Sequence, residues 1–114
     1  MAQAGLILKI ITKGEIQMRK PTHPGEVLRE DVLPTINLPK FAIAKALGIS
    51  RQHFDRVLQE AAPVTAEMAM RLGKFIGNGP DVWLNMQSRY DLWQLAHDTT
   101  KAREFKAIPA YAEM

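Results

Sequence analysis

The stretch Ala44–Leu58 reads AKALGISRQHFDRVL, and its reading decides the fold. A small residue, Ala44, is followed four positions later by Gly48, and a short polar opening then leads into a second apolar-periodic run. Two helices that cross steeply at a short turn bring their backbones close, so the crossing needs a small side chain. The chain must leave the first helix through a left-handed residue, which glycine tolerates best. Ile49 can plug the junction, and Ser50 is a good cap for the helix that follows. This is the sequence form of a helix-turn-helix. Small residues and glycine also meet in ordinary helical hairpins, so the second helix has to settle the matter.

At roughly 100° per residue, Phe54, Val57 and Leu58 fall within about a third of the helix circumference and face a core. The opposite direction holds Gln52, Arg56 and Gln59, with Asp55 and His53 flanking them and Arg51 beside the helix N-terminus. A helix laid in a DNA major groove reads bases with residues near its N-terminal end. Arginine can bridge guanine O6 and N7, and glutamine can bridge adenine N6 and N7. Ser50, Arg51 and the first-turn amides suit phosphate instead. Lys40 and Lys45, on the preceding helix, can touch the flanking backbone. His53 lies at the edge of this face, where a solvated side chain is the simpler reading.

The charge distribution supports the same face. The net charge of the chain is only +3. Residues 40–56 hold Lys40, Lys45, Arg51 and Arg56 against Asp55, whereas residues 21–39 set Glu26, Glu30 and Asp31 against Arg29, and residues 78–98 set Asp81, Asp91 and Asp98 against Arg89. A basic patch on an otherwise mildly acidic domain points to an anionic partner for that patch. The plain alternative is a solvated surface, which charge alone would not displace.

The 114 residues make one domain, and 46% hydrophobic with 24% charged residues is a globular balance rather than a disordered one. Cysteine is absent, which removes disulfides and thiolate metal sites and fits a reducing compartment. The longest apolar run, Leu6–Ile11, is too short to span a bilayer and contains Lys9. It lacks a signal peptide's basic start and small-residue cleavage site. The reading is a soluble, cytoplasmic protein.

From Pro21 onward the pattern is helical and well punctuated. Pro24 suits a first helical position, with Glu26 in the first turn, Val27, Leu28 and Val32 inward, and Pro34 as the stop. Pro39 opens a second helix over Lys40–Leu47, and Gly48 stops it. The third runs from Arg51 to about Gln59, and Ala62-Pro63 breaks the chain. Thr65 caps a fourth, with Met68, Leu72, Phe75 and Ile76 on its apolar face and Gly77 as its stop. The fifth and longest runs from Pro80 to about Asp98. Five short helices with short connections make an all-α domain. On the fifth, Trp83, Met86, Tyr90, Trp93 and His97 share one side and read as core. Leu84, Leu92 and Leu95 form a second stripe, and a helix apolar on two sides needs a second surface to bury against. That stripe is the candidate dimer interface, and a two-fold would set two recognition helices about 34 Å apart, one turn of DNA.

Enzymatic chemistry finds no footing. His23, His53 and His97 have no metal-ligand spacing, so no metal and no cofactor are read. His23 is a helix-start residue, and His97 a helix-end cation or packed ring. Glu26 and Glu30 share a face with Arg29 and Asp31 beside them, a solvated acidic surface rather than an acid/base pair. Ser50 and Ser88 have no base at motif spacing.

From about Met18 to Asp98 the chain resembles the HigA-type antitoxins, also known as virulence-associated protein I, of the Cro/cI-like (lambda-repressor-like) helix-turn-helix class. The matching stretches are HPGEVLRED at 23–31, AKALGIS at 44–50, VTAEMAMRLGKFIG at 64–77 and PDVWLNMQSRYDL at 80–92. The resemblance implies a five-helix DNA-binding domain over 18–98 that dimerises and represses its own operon by binding operator DNA. It also implies a small toxin partner of the ribosome-dependent, mRNA-cleaving type. Such a toxin should be basic, which makes the acidic face of Glu26, Glu30 and Asp31 the candidate toxin contact. The chain departs from the pattern at Pro39, where such proteins often carry a polar cap, and in residues 1–17. Lys13-Gly14-Glu15 can be encoded by a ribosome-binding sequence placed just ahead of Met18, so translation is expected to start at Met18. If residues 1–17 are translated, they are a short extension whose apolar strand could pair with a sheet edge on the toxin. Residues 99–114 read as a C-terminal tail of weak periodicity. Two other readings stand beside the antitoxin: a free-standing helix-turn-helix repressor with no toxin, and a protein-binding module with a vestigial helix-turn-helix.

Overall fold

Helices in this chain begin and end at single residues whose chemistry can be named. A computed structural model describes residues 19–114. Its helices are α1 (Pro24–Val27), α2 (Lys40–Leu47), α3 (Arg51–Leu58), α4 (Ala66–Ile76), α5 (Asp81–Ala96) and α6 (Thr99–Lys106), and no strand occurs among the described residues. His23 Nδ1 accepts from the Gly25 N–H at 2.9 Å, Ser50 from His53 at 3.0 Å and Thr65 from Met68 at 3.2 Å. Each bond satisfies a first-turn donor that has no partner inside its helix. Pro39 has no side chain to offer, yet α2 still starts at Lys40, because the Pro39 carbonyl accepts from the N–H groups of Ala42 and Ile43. The expectation of a strand over Leu6–Ile11 and that of a start at Met18 both fall outside the described residues.

Two expectations need correction. The first helix does not run as a plain α-helix to Pro34. After Val27 it widens into a π-helical turn, Leu28–Val32, in which the Leu33 N–H reaches the Leu28 carbonyl, and then tightens into a 3-10 turn, Leu33–Thr35. Pro34 carries no N–H, and its ring would meet the Glu30 carbonyl in a continued α-helix, so the ladder shifts before it. The stretch read as a C-terminal tail of weak periodicity contains α6. Its apolar pattern is weak, but Asp98 caps it by accepting from Thr100 and Lys101 N–H at 3.0 and 3.1 Å, a start signal that needs no periodicity.

The described residues divide into two compact units, Thr22–Ser88 and Arg89–Met114 with Arg19–Pro21. In the first, Leu28, Phe54, Val57, Leu72 and Trp83 are fully buried in one core, with Met86, Phe75 and Ile76 packed at its margin. Two glycines permit backbone to meet backbone there. A Cβ on Gly25 would sit 2.0 Å from the Val57 carbonyl oxygen, and one on Gly73 would sit 2.3 Å from the Gly79 carbonyl carbon. Gln87, 5% exposed, accepts from the Val64 N–H at 2.7 Å and so ties α5 to the loop before α4. In the second unit, His97 stacks on Trp93 with ring centroids 3.9 Å apart, and the Lys20 ammonium lies 5.2 Å from the Tyr90 ring centroid and 5.7 Å from that of Trp93. The aromatic stripe of α5 is thus core at Trp83, at the core's margin at Met86, half-buried at Tyr90 and Trp93, and exposed at His97.

Candidate nucleic-acid interface

The turn at Gly48 has the geometry its sequence requires. Gly48 sits at φ +75°, in the left-handed region. Its N–H reaches the Lys45 carbonyl, and the Ile49 N–H reaches that of Ala44, both at 3.0 Å. These are the paired bonds of a Schellman motif, and they satisfy two of the last carbonyls of α2. Ala44 is buried at 2% exposure, and Ile49 packs against the core.

Helix α3 presents the expected face. Phe54, Val57 and Leu58 are buried, whereas Ser50, Arg51, Gln52, His53, Arg56 and Gln59 are exposed and Asp55 is half-buried. Lys40 and Lys45 on α2 are exposed as well. The side chains are not all equally available. Arg51 Nε lies 3.6 Å from an Asp55 carboxylate oxygen, one turn along the helix. Arg56 Nη2 donates to the Ala61 carbonyl at 3.3 Å, just past the end of α3.

The far end of α3 repeats the construction at Gly48, with a residue that sequence reading does not flag. Glu60 takes a left-handed φ of +63°. The Ala61 N–H then reaches the Arg56 carbonyl at 2.8 Å and the Glu60 N–H that of Val57 at 3.0 Å. Arg29, from the helical turns after α1, donates to the Leu58 carbonyl and pairs with Glu60 at 3.4 Å and with Glu30 at 2.8 Å. Its guanidinium is held above the ordinary arginine value, first by the hydrogen bond to Glu30; desolvation opposes this, and the charge of Glu30 and the pairing with Glu60 add to it. At the near end, Arg71 of α4 donates to the carbonyls of Leu47 and Gly48.

The other expected sites are exposed and lie apart from this face in sequence. Glu26, Glu30 and Asp31 are exposed, with Glu30 engaged by Arg29. Leu84, Leu92 and Leu95 are 37%, 67% and 41% exposed. Among the described residues no cluster of histidine and carboxylate side chains could hold a metal ion, and no helix is long and apolar enough to cross a membrane.

Fold and surface together define a helix-turn-helix protein. No family model matches the chain. Virulence-associated protein I of Dichelobacter nodosus is 41% identical to it over 76 residues, spanning 67% of this chain and 70% of that protein. Antitoxin HigA-1 of Vibrio cholerae is 33% identical over 75 residues, 66% of this chain and 70% of its own. A Pseudomonas aeruginosa protein solved in complex with its 18-base-pair operator DNA superposes with a TM-score of 0.70 at 33% identity, over 82% of this chain and 98% of that one. The chain belongs to the HigA antitoxin and virulence-associated protein I family.

Proposed function

We propose that this chain is the antitoxin of a type II toxin-antitoxin module, which binds operator DNA through α3 and represses its own operon. The observation that carries the reading is the exposed polar face of α3, set on a left-handed glycine turn and flanked by Lys40 and Lys45. Gln52 and Arg56 are the base readers, with Gln59, His53 and Asp55 around them. Ser50 and Arg51 at the helix N-terminus, and the two lysines, hold phosphate. Arg56 must leave the Ala61 carbonyl to reach a base, and Arg51 must share its charge with Asp55.

The partner is a small basic toxin of the ribosome-dependent mRNA-cleaving type, met by the acidic surface of Glu26, Glu30 and Asp31. The active species is a homodimer closed by Leu84, Leu92 and Leu95 of α5, acting in the bacterial cytoplasm without a cofactor. Operator-bound and HigA-named relatives support this reading. The test is to express the chain with its genomic neighbours. Co-purification of a small basic protein, and retention of the upstream DNA in a gel shift, are expected. Binding of that DNA with no co-purifying protein would leave a free-standing repressor. Absence of both would end the proposal.

A further inference from the structure

The Schellman bonds at the end of α2 satisfy the carbonyls of Ala44 and Lys45, which leaves the last carbonyls of the helix and of the turn itself to find other donors. Those of Leu47 and Gly48 take them from one guanidinium. Arg71 Nη1 lies 2.9 Å from the Leu47 oxygen and 3.5 Å from that of Gly48, 24 and 23 residues away in sequence. The other end of the same group, Nη2, lies 3.8 Å from Glu67, one turn back on α4. Its Nε–H is buried with no hydrogen-bond partner among the described residues. The side chain is held where it is by what its two Nη groups do. The glycine also leaves room for it, because a Cβ at residue 48 would sit 2.6 Å from Arg71 Nη1.

We propose that Arg71 is a positioning residue for operator binding: by pinning the carbonyls of Leu47 and Gly48 to α4, it fixes the helix-turn-helix turn and hence the seat of Ser50, Arg51 and the base-reading face of α3. This rests on the operator-binding reading above. Arg71 acts on the residues that touch DNA and does not itself contact phosphate. A looser turn lets α3 sample orientations in which its side chains miss their base edges, whereas contacts that only neutralise phosphate tolerate the change. Lysine is not equivalent here, since one ammonium cannot reproduce the planar fork that reaches α2 and Glu67 together.

Two measurements on the full chain separate the parts of this proposal. Hydrogen exchange reads the clamp without DNA. In Arg71→Ala the amides of Gly48 and Ile49 should exchange faster relative to those in the middle of α5, and unchanged protection would overturn the clamp. Titration against a duplex from upstream of the chain's gene, and against a scrambled duplex, reads the function. Arg71→Ala should lose about tenfold in affinity for the upstream duplex, leaving scrambled affinity and the salt slope unchanged. Arg71→Lys, which keeps the charge, should fall between the parent and alanine and serves as the test if the alanine variant fails to fold. Equal losses on both duplexes with a salt slope reduced by about one would make Arg71 a phosphate contact and overturn the proposal, as would parent-like affinity in a folded variant. A parent that does not distinguish the two duplexes would instead sink the operator reading, with the exchange experiment still deciding the clamp.

Discussion

Gly25 shows how one residue can be indispensable without touching any partner. It is buried in the first turn of α1, where the backbone of α3 passes so close that a Cβ would overlap the Val57 carbonyl oxygen. A backbone atom cannot swing aside as a side-chain tip can. Gly25→Ala should therefore destabilise the domain by at least about 1–3 kcal/mol, an overpacking penalty in a filled interior, measured as a lower urea midpoint. A midpoint equal to the parent's would mean that α1 and α3 are not packed as described. Gly48 was legible in the sequence because left-handed turns favour glycine. Gly25 was legible only as part of a motif, and Glu60 not at all, since nothing in a glutamate announces a left-handed φ. Its partner Arg29 lies 31 residues away.

At the scale of elements, the sequence marked starts and stops better than continuity. Caps at Ser50 and Thr65 and stops at Gly48 and Gly77 placed α2, α3 and α4 as they stand. The π-helical turn after α1 and the whole of α6 went unread. The first depends on how the ladder gives way before Pro34, and the second on a cap whose helix has no strong apolar face. The ties between elements were also invisible. Gln87, Arg71 and Arg29 bond backbone 23, 24 and 29 residues away, and an isolated sequence shows only a surface-type side chain at each. The surface of α1 and the turns after it carries its own prediction. Reversing charge at Glu26 and Glu30 together should slow association with a basic toxin at low salt, with operator binding retained, because complementary charge steers encounter. Since Glu30 also pairs with Arg29, the single Glu26 variant is the cleaner control. Association rates that do not change at low salt would remove this surface from the toxin contact.

At the scale of the whole molecule, the proposed function makes operator recognition depend on assembly as well as on α3. One recognition helix covers only a half-site, and two set about 34 Å apart meet the same groove face one turn on. Leu92, 67% exposed, is the most exposed of the three leucines proposed for the two-fold contact. Leu92→Arg should shift the protein to monomer in light scattering and weaken operator binding with it, and a dimer that persists would place the two-fold elsewhere. The central claim, that the exposed face of α3 reads DNA, is tested most directly by titrating the parent, Gln52→Ala, Arg56→Ala and Lys45→Ala against operator and scrambled duplexes at several salt concentrations. Gln52 and Arg56 lie off the buried Phe54–Val57–Leu58 face, so both variants should keep the fold. Loss of a base contact should weaken operator binding by about 1–3 kcal/mol and relax the preference at one position per half-site. Lys45→Ala should weaken both duplexes alike and lower the salt slope by about one. If Gln52→Ala and Arg56→Ala both bind the operator as the parent does, at unchanged thermal stability, this helix does not read DNA.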